Sequence, residues 1–390
     1  MNILLLEPYL AGSHAAWAQQ YAAYSSHQVR VLGLPGRHWK WRMHGGAVTL
    51  ARQWLSEETS ADMLLATDML DLACFQGLVR QRCGSVPSVL YFHENQLTYP
   101  WSPRDGDPGK QRDAHYAFMN FTSALAADAV FFNSRYHHEA FFEALPRFLK
   151  RFPDCRPLDD VDRIREKSQV LPLGLDLRRF DEHREQPAQP ADVPLILWNH
   201  RWEYDKNPEE FFAALFVLAD EGWPFEVVVL GESFAETPPI FQQARQRLGS
   251  RIVHFGYARD FAEYARWLWR ADILPVTSIH DFFGISVVEA MYCQTWPLLP
   301  RRLAYPEHLP AEYHSRHLYD GIEELLQRMR VLLAESTVPV DNRGPREWVQ
   351  DYDWHGQAKR YDRVLQSLAT HSARGTAMAG RGAVGAQNLL

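Results

Sequence analysis

Cysteine is scarce: Cys74, Cys83, Cys155 and Cys293 are the four in a chain of 390 residues. None stands in a C-x-x-C pair, so neither a disulfide framework nor a thiolate metal cage is expected, and a reducing compartment suits the chain. Long apolar runs are missing too. No stretch approaches the roughly 20 residues of a membrane-spanning helix, which excludes an integral helical membrane protein. The start, MNILLLEPYLAGSH, lacks the charged region, long apolar core and small-residue cleavage site of a signal peptide. A cytoplasmic location is the expectation. Nor is there an excess of positive charge. The net charge is −7 and the pI near 6.2. That argues against a broad electrostatic grip on nucleic acid and leaves room only for a local basic groove.

What is present is ordinary for a globular protein, with 46% apolar and 23% charged residues. At roughly 150 residues per domain, the length predicts two or three domains. Aromatics stand out: there are 13 Trp, and Phe, Trp and Tyr make up 13% of the chain. Most must pack the core, and some are expected to line ligand surfaces, where flat rings stack on sugars and bases.

Two halves look alike. The first reads as strands at Ile3–Leu6, Val29–Leu32, Met63–Ala66, Val86–Phe92 and Ala129–Phe132, with helices at His14–Tyr24 and Arg112–Leu125. The second reads as strands at Pro194–Trp198, Phe225–Leu230, Ile252–Phe255, Asp272–Val276 and Thr295–Leu299, with helices at Glu209–Glu221 and Ile285–Tyr292. Short apolar strands alternating with helices predict parallel sheets covered on both faces, an α/β class of two doubly wound domains. The polar, proline-bearing EHREQPAQPAD between them reads as a linker. Ligands of such folds sit at strand carboxyl ends, here expected in an interdomain cleft. Residues 146–168 read as a mobile charged loop with some helix, and residues 371–390 as a disordered tail.

Four segments carry chemistry. Trp198–Pro208, WNHRWEYDKNP, lies between a strand and a helix. Its Arg201 and Lys206 are read as exposed loop cations converging on a diphosphate. In His280–Glu289, Gly284 lets backbone approach a ligand and the following helix aims its first N–H groups at an anion. Asp281 and Glu289, eight apart, suit sugar and ribose hydroxyls. Glu7–His14 is a strand-to-helix loop with Gly12 but without the dinucleotide G-x-G-x-x-G. Phe92–Asn95 sets His93 and Glu94 at a strand end. Metal readings are poor. Asp351–Asp353 precedes a helix that Asp353 would cap. Asp159, Asp160 and Asp162 lie in the charged segment, and His137 and His138 point apart on a helix.

Together these segments resemble retaining GT-B glycosyltransferases of the GT4 type. The strings FHENQLTYP, WNHRWEYDKNP, FGY and DFFGISVVEAMYC resemble, more narrowly, the tRNA-queuosine α-mannosyltransferase family, over roughly residues 1–368. The resemblance implies a Rossmann-like acceptor-binding domain at 1–180, a linker at 181–192 and a Rossmann-like nucleotide-sugar domain at 193–345. A helix at 346–370 would cross back to the first domain, ahead of the tail at 371–390. It implies retaining transfer of mannose from GDP-mannose to the cyclopentenediol of queuosine at the wobble position of tRNA-Asp. No metal, no cofactor, no membrane and no obligate protein partner are implied.

Carried over by motif, His93, Asp281, Arg201 and Lys206 are the catalytic residues. Gly12, Arg201, Lys206, Tyr257, Phe283, Gly284, Ile285 and Glu289 bind the donor. Two positions depart from the family pattern: Asp281 stands where Glu is usual, and Ala11-Gly12 where a glycine pair is usual. Acceptor contacts are assigned to Ser13, His14, Glu94 and Asn95, and to the basic Arg147, Lys150 and Arg151. A second basic rim, Arg37, Lys40 and Arg42 around Trp39 and Trp41, interleaves charge with rings that stack on an unpaired base. Two other readings stand beside this one: a GT4-like transferase acting on a polysaccharide, lipid or small molecule, and a catalytically idle RNA-binding protein on the same scaffold.

Overall fold

Every apolar run read as a strand is one: the inner strands are buried on both faces, the edge strands over Val29–Leu32 and Ile252–Phe255 are half-buried, and all need a ladder for their backbone polar groups. The structure is a computed structural model. It describes residues 1–84, 86–102, 105–107, 114–185, 193–232, 237–335 and 344–383, the side chains of 371–383 excepted. Two units result, Met1–Leu175 with the segment from Trp354, and Asp176–Asp353.

In the first unit β1 (Asn2–Leu10), β2 (Gln28–Pro35), β3 (Met63–Thr67), β4 (Ser88–Phe92), β5 (Ala129–Phe132) and β6 (Ser168–Val170) form a parallel sheet. Their order is β2-β1-β3-β4-β5-β6. Leu5 of β1 pairs with Val31 on one side and Leu65 on the other. Helices α1 (Gly12–Tyr24), α2 (Trp39–Leu55), α3 (Leu72–Cys83), α4 (Ala114–Ala126), α5 (Arg135–Leu149) and α6 (Asp159–Glu166) connect them. The chain steps from β1 out to β2 and then crosses to β3 on the other side. The loops after β1 and β3 therefore diverge and leave a crevice at their carboxyl ends.

The second unit repeats the plan. Its strands are β7 (Leu195–Trp198), β8 (Glu226–Leu230), β9 (Ile252–Gly256), β10 (Ile273–Pro275), β11 (Trp296–Pro300) and β12 (Leu318–Tyr319). They lie in the order β12-β11-β10-β7-β8-β9, so the reversal falls between β7 and β10. Its helices are α7 (Pro208–Asp220), α8 (Ile240–Leu248), α9 (Phe261–Arg270), α10 (Ile285–Tyr292), α11 (His314–His317), α12 (Ile322–Ala334) and α13 (Pro345–Val349). The last helix, α14 (Trp354–Ala383), belongs to the first unit. There Asp362 accepts from Tyr21, Ser25 and Ser26, and Trp354 lies against Gly174, where a Cβ would meet the indole at 2.3 Å.

Three segments differ from the sequence expectation. Residues 146–168 are no mobile loop. α5 runs through Pro146 to Leu149, since Phe141, Phe142, Leu145, Phe148 and Leu149 form a buried stripe at helical spacing. α6 buries Val161 and Ile164 and sets Asp159, Asp160 and Asp162 in its first turn, where the helix dipole favours them. Residues 371–383 continue α14 instead of forming a tail. Residues 384–390 lie outside the described part. Of the linker at 181–192, residues 186–192 also lie outside it. Arg178–His183 is a 3-10 helix tied into the second unit by Phe180 on Phe261 and by Asp181 on Arg346.

Candidate active site

In the second unit the loops after β7 and β10 are stitched together. Ile279 N donates to Asp205 O (2.9 Å), and Thr277 Oγ1 donates to Asn207 O (2.9 Å). The stitching brings Lys206 against Asp281. The Lys206 Nζ lies 3.0 Å from His280 O, 3.2 Å from Asp281 Oδ2 and 3.2 Å from Asp205 Oδ2. Lys206 is only 8% exposed, so it is not the exposed loop cation the sequence suggested. Burial alone would raise Asp281, but the ammonium outweighs it and holds the carboxyl down at about 2. Burial would likewise lower Lys206, and Asp281 and Asp205 raise it instead. His200 and His280, desolvated beside that ammonium, are pushed down to about 4 and are neutral at pH 7.

The frame around this pair is rigid. Gly284, at φ 88°, caps α10, and a Cβ there would meet the Tyr305 ring at 2.9 Å. Tyr305 donates to Asp281 Oδ2 (3.3 Å), and the Phe283 amide donates to Asp281 Oδ1 (3.4 Å). Asn199 Nδ2 donates to Ser286 O (2.7 Å), and Ser286 Oγ meets His200 Nδ1 at 3.0 Å. One helical turn further, Glu289 accepts from the Tyr264 hydroxyl at 2.7 Å. Burial pushes its carboxyl up to about 7 despite that bond. Arg201, its side chain 48% exposed, pairs with Glu203 at 3.1 Å. The arrangement offers an anion the first amides of α10, Arg201 and Lys206, and offers hydroxyls the carboxylates of Asp281 and Glu289. Tyr257 is not brought to it: it follows β9, two strands or roughly 10 Å from β7, and is 73% exposed.

The first unit carries a second cluster at its own reversal point. Glu7 lies in β1, His14 in the first turn of α1, Asp68 after β3, and His93 and Glu94 after β4. His14 Nδ1 lies 2.9 Å from Glu7 Oε2. Burial alone would lower its imidazole, but Glu7 outweighs it and pushes it up to about 9. His93 stacks on His14 at 4.4 Å and takes Trp17 edge-on at 4.6 Å. Burial beside the His14 charge keeps it neutral, well below the usual range. Gly12, at φ 52°, makes the turn into α1.

The metal reading changes here. Glu7, His14 and His93 place one potential ligand atom each within 4.8 Å of one another. The direct Glu7–His14 hydrogen bond and the imidazole raised by Glu7 describe a carboxylate–imidazolium pair, and a metal on His14 would require the loss of one imidazolium proton. Asn95 Oδ1 holds the loop by accepting from the amides of Leu97 and Thr98, and its Nδ2 is buried without a hydrogen-bond partner. Arg147, Lys150 and Arg151 are not brought to the cluster. α5 starts beside His93, where Asn133 Nδ2 donates to His93 O (2.9 Å), and its far end lies roughly 20 Å away. Arg147 pairs there with Glu143. The Trp39 rim follows β2. Trp39 packs on Trp101 and Tyr116, Lys40 is held by Asp105 and Asp107, and Trp41 is 65% exposed.

Sequence reasoning missed Glu7, Asp68, Asp205, Tyr264 and His280. Glu7 left a signal, a carboxylate inside an otherwise apolar strand. Tyr264, 25 residues before its partner, left none.

The family description "tRNA-queuosine alpha-mannosyltransferase N-terminal" matches residues 2–175, and "Glycosyl transferases group 1" matches residues 179–336. The tRNA-queuosine alpha-mannosyltransferase of Drosophila melanogaster is 34% identical over 335 residues, 84% of this chain and 86% of that protein. A GDP-mannose-dependent alpha-(1-6)-phosphatidylinositol dimannoside mannosyltransferase of Mycobacterium tuberculosis is 27% identical over 161 residues, 40% of this chain and 41% of that protein. Among solved structures, a sucrose-phosphate synthase from Thermosynechococcus elongatus superposes with a TM-score of 0.68 at 16% identity, covering 95% of this chain and 100% of that one. That likeness bears on the fold, which is GT-B. With a full-length relative above 30% identity and the matching description over its first unit, the chain belongs to the tRNA-queuosine α-mannosyltransferase family of glycosyltransferases.

Proposed function

We propose that the chain transfers mannose from GDP-mannose, with retention, to the cyclopentenediol of queuosine in tRNA-Asp. The observation that carries the donor half is the Lys206–Asp281 pair set beside the N-terminus of α10 at the β7/β10 reversal. Arg201, Lys206 and the α10 amides stabilise the charge developing on the leaving diphosphate, so donor binding needs no metal. Asp281 accepts from the sugar, and Glu289 from the ribose. Asp281 is committed to Lys206 and Tyr305, which suits positioning and not nucleophilic attack. The departing phosphate oxygen takes the proton of the attacking hydroxyl on the same face. His93 is neutral and buried in the first unit, beside His14.

The acceptor half is supported by the Drosophila relative, and the GDP-mannose donor by the name of the mycobacterial one. Trp41 and its basic neighbours are the tRNA surface this reading prefers over the α5 end, because the rim follows β2 on the cluster's edge of the sheet. The cytoplasm, where tRNA is found, is the proposed location. Among the described residues, no helix is long and apolar enough to cross a membrane. The test is mass spectrometry of nucleosides from queuosine-bearing tRNA incubated with GDP-mannose and excess chelator. A hexose added to queuosine is expected. Unmodified queuosine under conditions where GDP-mannose binds would overturn the acceptor, and transfer that returns only with added divalent ions would overturn the metal-free step.

A further inference from the structure

The β1/β3 reversal point gathers the carboxyls of Glu7, Asp68 and Glu94 around the His14 imidazole. Glu7, Asp68 and Glu94 lie within electrostatic range of His14 and of one another, and His93 beside them is neutral. Glu7 is spent on His14 and on the Tyr9 amide (2.8 Å). Asp68 is not spent. Its Oδ1 accepts from the amides of His93 (2.7 Å) and Glu94 (3.4 Å). Its Oδ2, on a side chain 0% exposed, is buried without a hydrogen-bond partner, and so is His93 Nε2. A buried carboxylate oxygen left bare costs about 1–3 kcal/mol or more and calls for a donor.

We propose that Asp68 and Glu94, backed by the Glu7–His14 dyad, form an acceptor subsite that takes a protonated amine. Queuosine carries its cyclopentenediol on a secondary alkylamine, which is cationic at neutral pH, so the subsite separates queuosine from unmodified guanosine by charge. This rests on the reading of queuosine as acceptor. Two other occupants fit less well. An anion would face three carboxylates. A metal would have to displace a proton from the His14 imidazolium. Burial and the fields of Glu94 and Glu7 hold the Asp68 carboxyl well above its usual range, and an entering ammonium reverses that.

The experiment compares two acceptors, queuosine nucleoside and its N-acetyl derivative, in which the amine is an uncharged amide. Each is incubated with GDP-mannose and the full chain as parent, Asp68→Asn or Glu94→Gln. The parent is expected to show a KM at least tenfold lower for queuosine, and either variant should narrow that ratio toward one through KM, not kcat. Asp68→Asn should melt no lower than the parent, because an amide oxygen keeps the bonds from the His93 and Glu94 amides and adds no charge; Glu94→Gln, at a half-buried position, serves if it does not fold. Equal discrimination by parent and folded variants overturns the subsite. So does a stoichiometric metal found by elemental analysis of the purified chain, with queuosine KM raised on its removal. A parent that mannosylates neither nucleoside, nor queuosine in tRNA, overturns the acceptor reading itself.

Discussion

Lys206 and Arg201 read alike in the sequence and are not alike in the molecule. The Lys206 ammonium donates to His280 O and Asp281 Oδ2 and lies 3.2 Å from Asp205 Oδ2 as an ion pair. Lys206→Ala strands Asp281 and Asp205 without their counter-ion, and breaking a buried pair costs about 3–5 kcal/mol. Urea unfolding should show that loss together with loss of transfer; a parent-like midpoint would place the ammonium outside the fold's support. Arg201→Ala removes the half-exposed pair with Glu203, and such a pair is worth roughly 0–1 kcal/mol. Its effect belongs in turnover, at about 10²- to 10³-fold for one lost donor to a leaving group. His14 makes a second residue-scale prediction. Its folded pKa, about 9, lies above the 6.5 of a free imidazole. Its contribution is therefore complete below pH 6.5 and drains away as pH rises through about 9. The amount is on the order of 2–3 kcal/mol. Chemical denaturation of parent and His14→Gln at pH 6 and 9.5 should show a steeper loss with pH in the parent, over whatever Glu289 and other groups contribute to both.

At the scale of elements, both clusters come from the same device. A parallel sheet reverses its winding, two loops diverge, and a helix starts in the gap: α1 behind Gly12 in one unit, α10 behind Gly284 in the other. Gly284 is held by more than its dihedral. Tyr305 fills the space where a Cβ would go, and that ring is buried and bonded to Asp281. Gly284→Ala must accept positive φ, at about 1–2 kcal/mol, and move the ring as well. The first amides of α10 then turn off target. Calorimetry should show GDP affinity at least tenfold weaker, and unchanged affinity would mean that the helix start does not hold the diphosphate. α5 teaches a different lesson. Its proline suggested a break in the sequence, yet five buried apolar side chains at helical spacing outweigh one missing amide bond.

For the whole chain, the long-range tie is α14. Asp362 accepts from the Tyr21 hydroxyl, the Ser25 hydroxyl and both the amide and hydroxyl of Ser26, more than 330 residues earlier in sequence. Tyr361 adds a bond to Tyr91 and one to Pro172 O. The first unit is therefore closed by the end of the chain, and a fragment ending at residue 353 lacks part of its own core. Asp362→Ala leaves the buried Tyr21 hydroxyl unpaired, at about 1–3 kcal/mol, and frees the part-buried Ser25 and Ser26 donors as well. Calorimetry should show a lower-melting first transition, with the second unit's GDP binding retained; an unshifted melt would make the tie ornamental.

The sequence by itself determined the class, the strand positions and most of the donor loop. Those depend on local pattern: apolar tetrads with no polar residue must be buried on both faces, and a glycine before an amphipathic run starts a helix. Arg201, Lys206, Asp281 and Glu289 were legible because they lie in two short segments at strand ends. Only the tertiary structure decided their states. Lys206 became a buried partner of Asp281 because Ile279 and Thr277 pin one loop to the other. Tyr264 reached Glu289 from another helix. Glu7, His14, Asp68 and His93 come from segments up to 86 residues apart, and no spacing rule joins them. Strand order joins them, because β1 and β3 are neighbours and β4 lies next to β3. Charge follows the same logic: side chains fix which groups can ionise, but burial and the neighbour across the sheet edge fix which of them do.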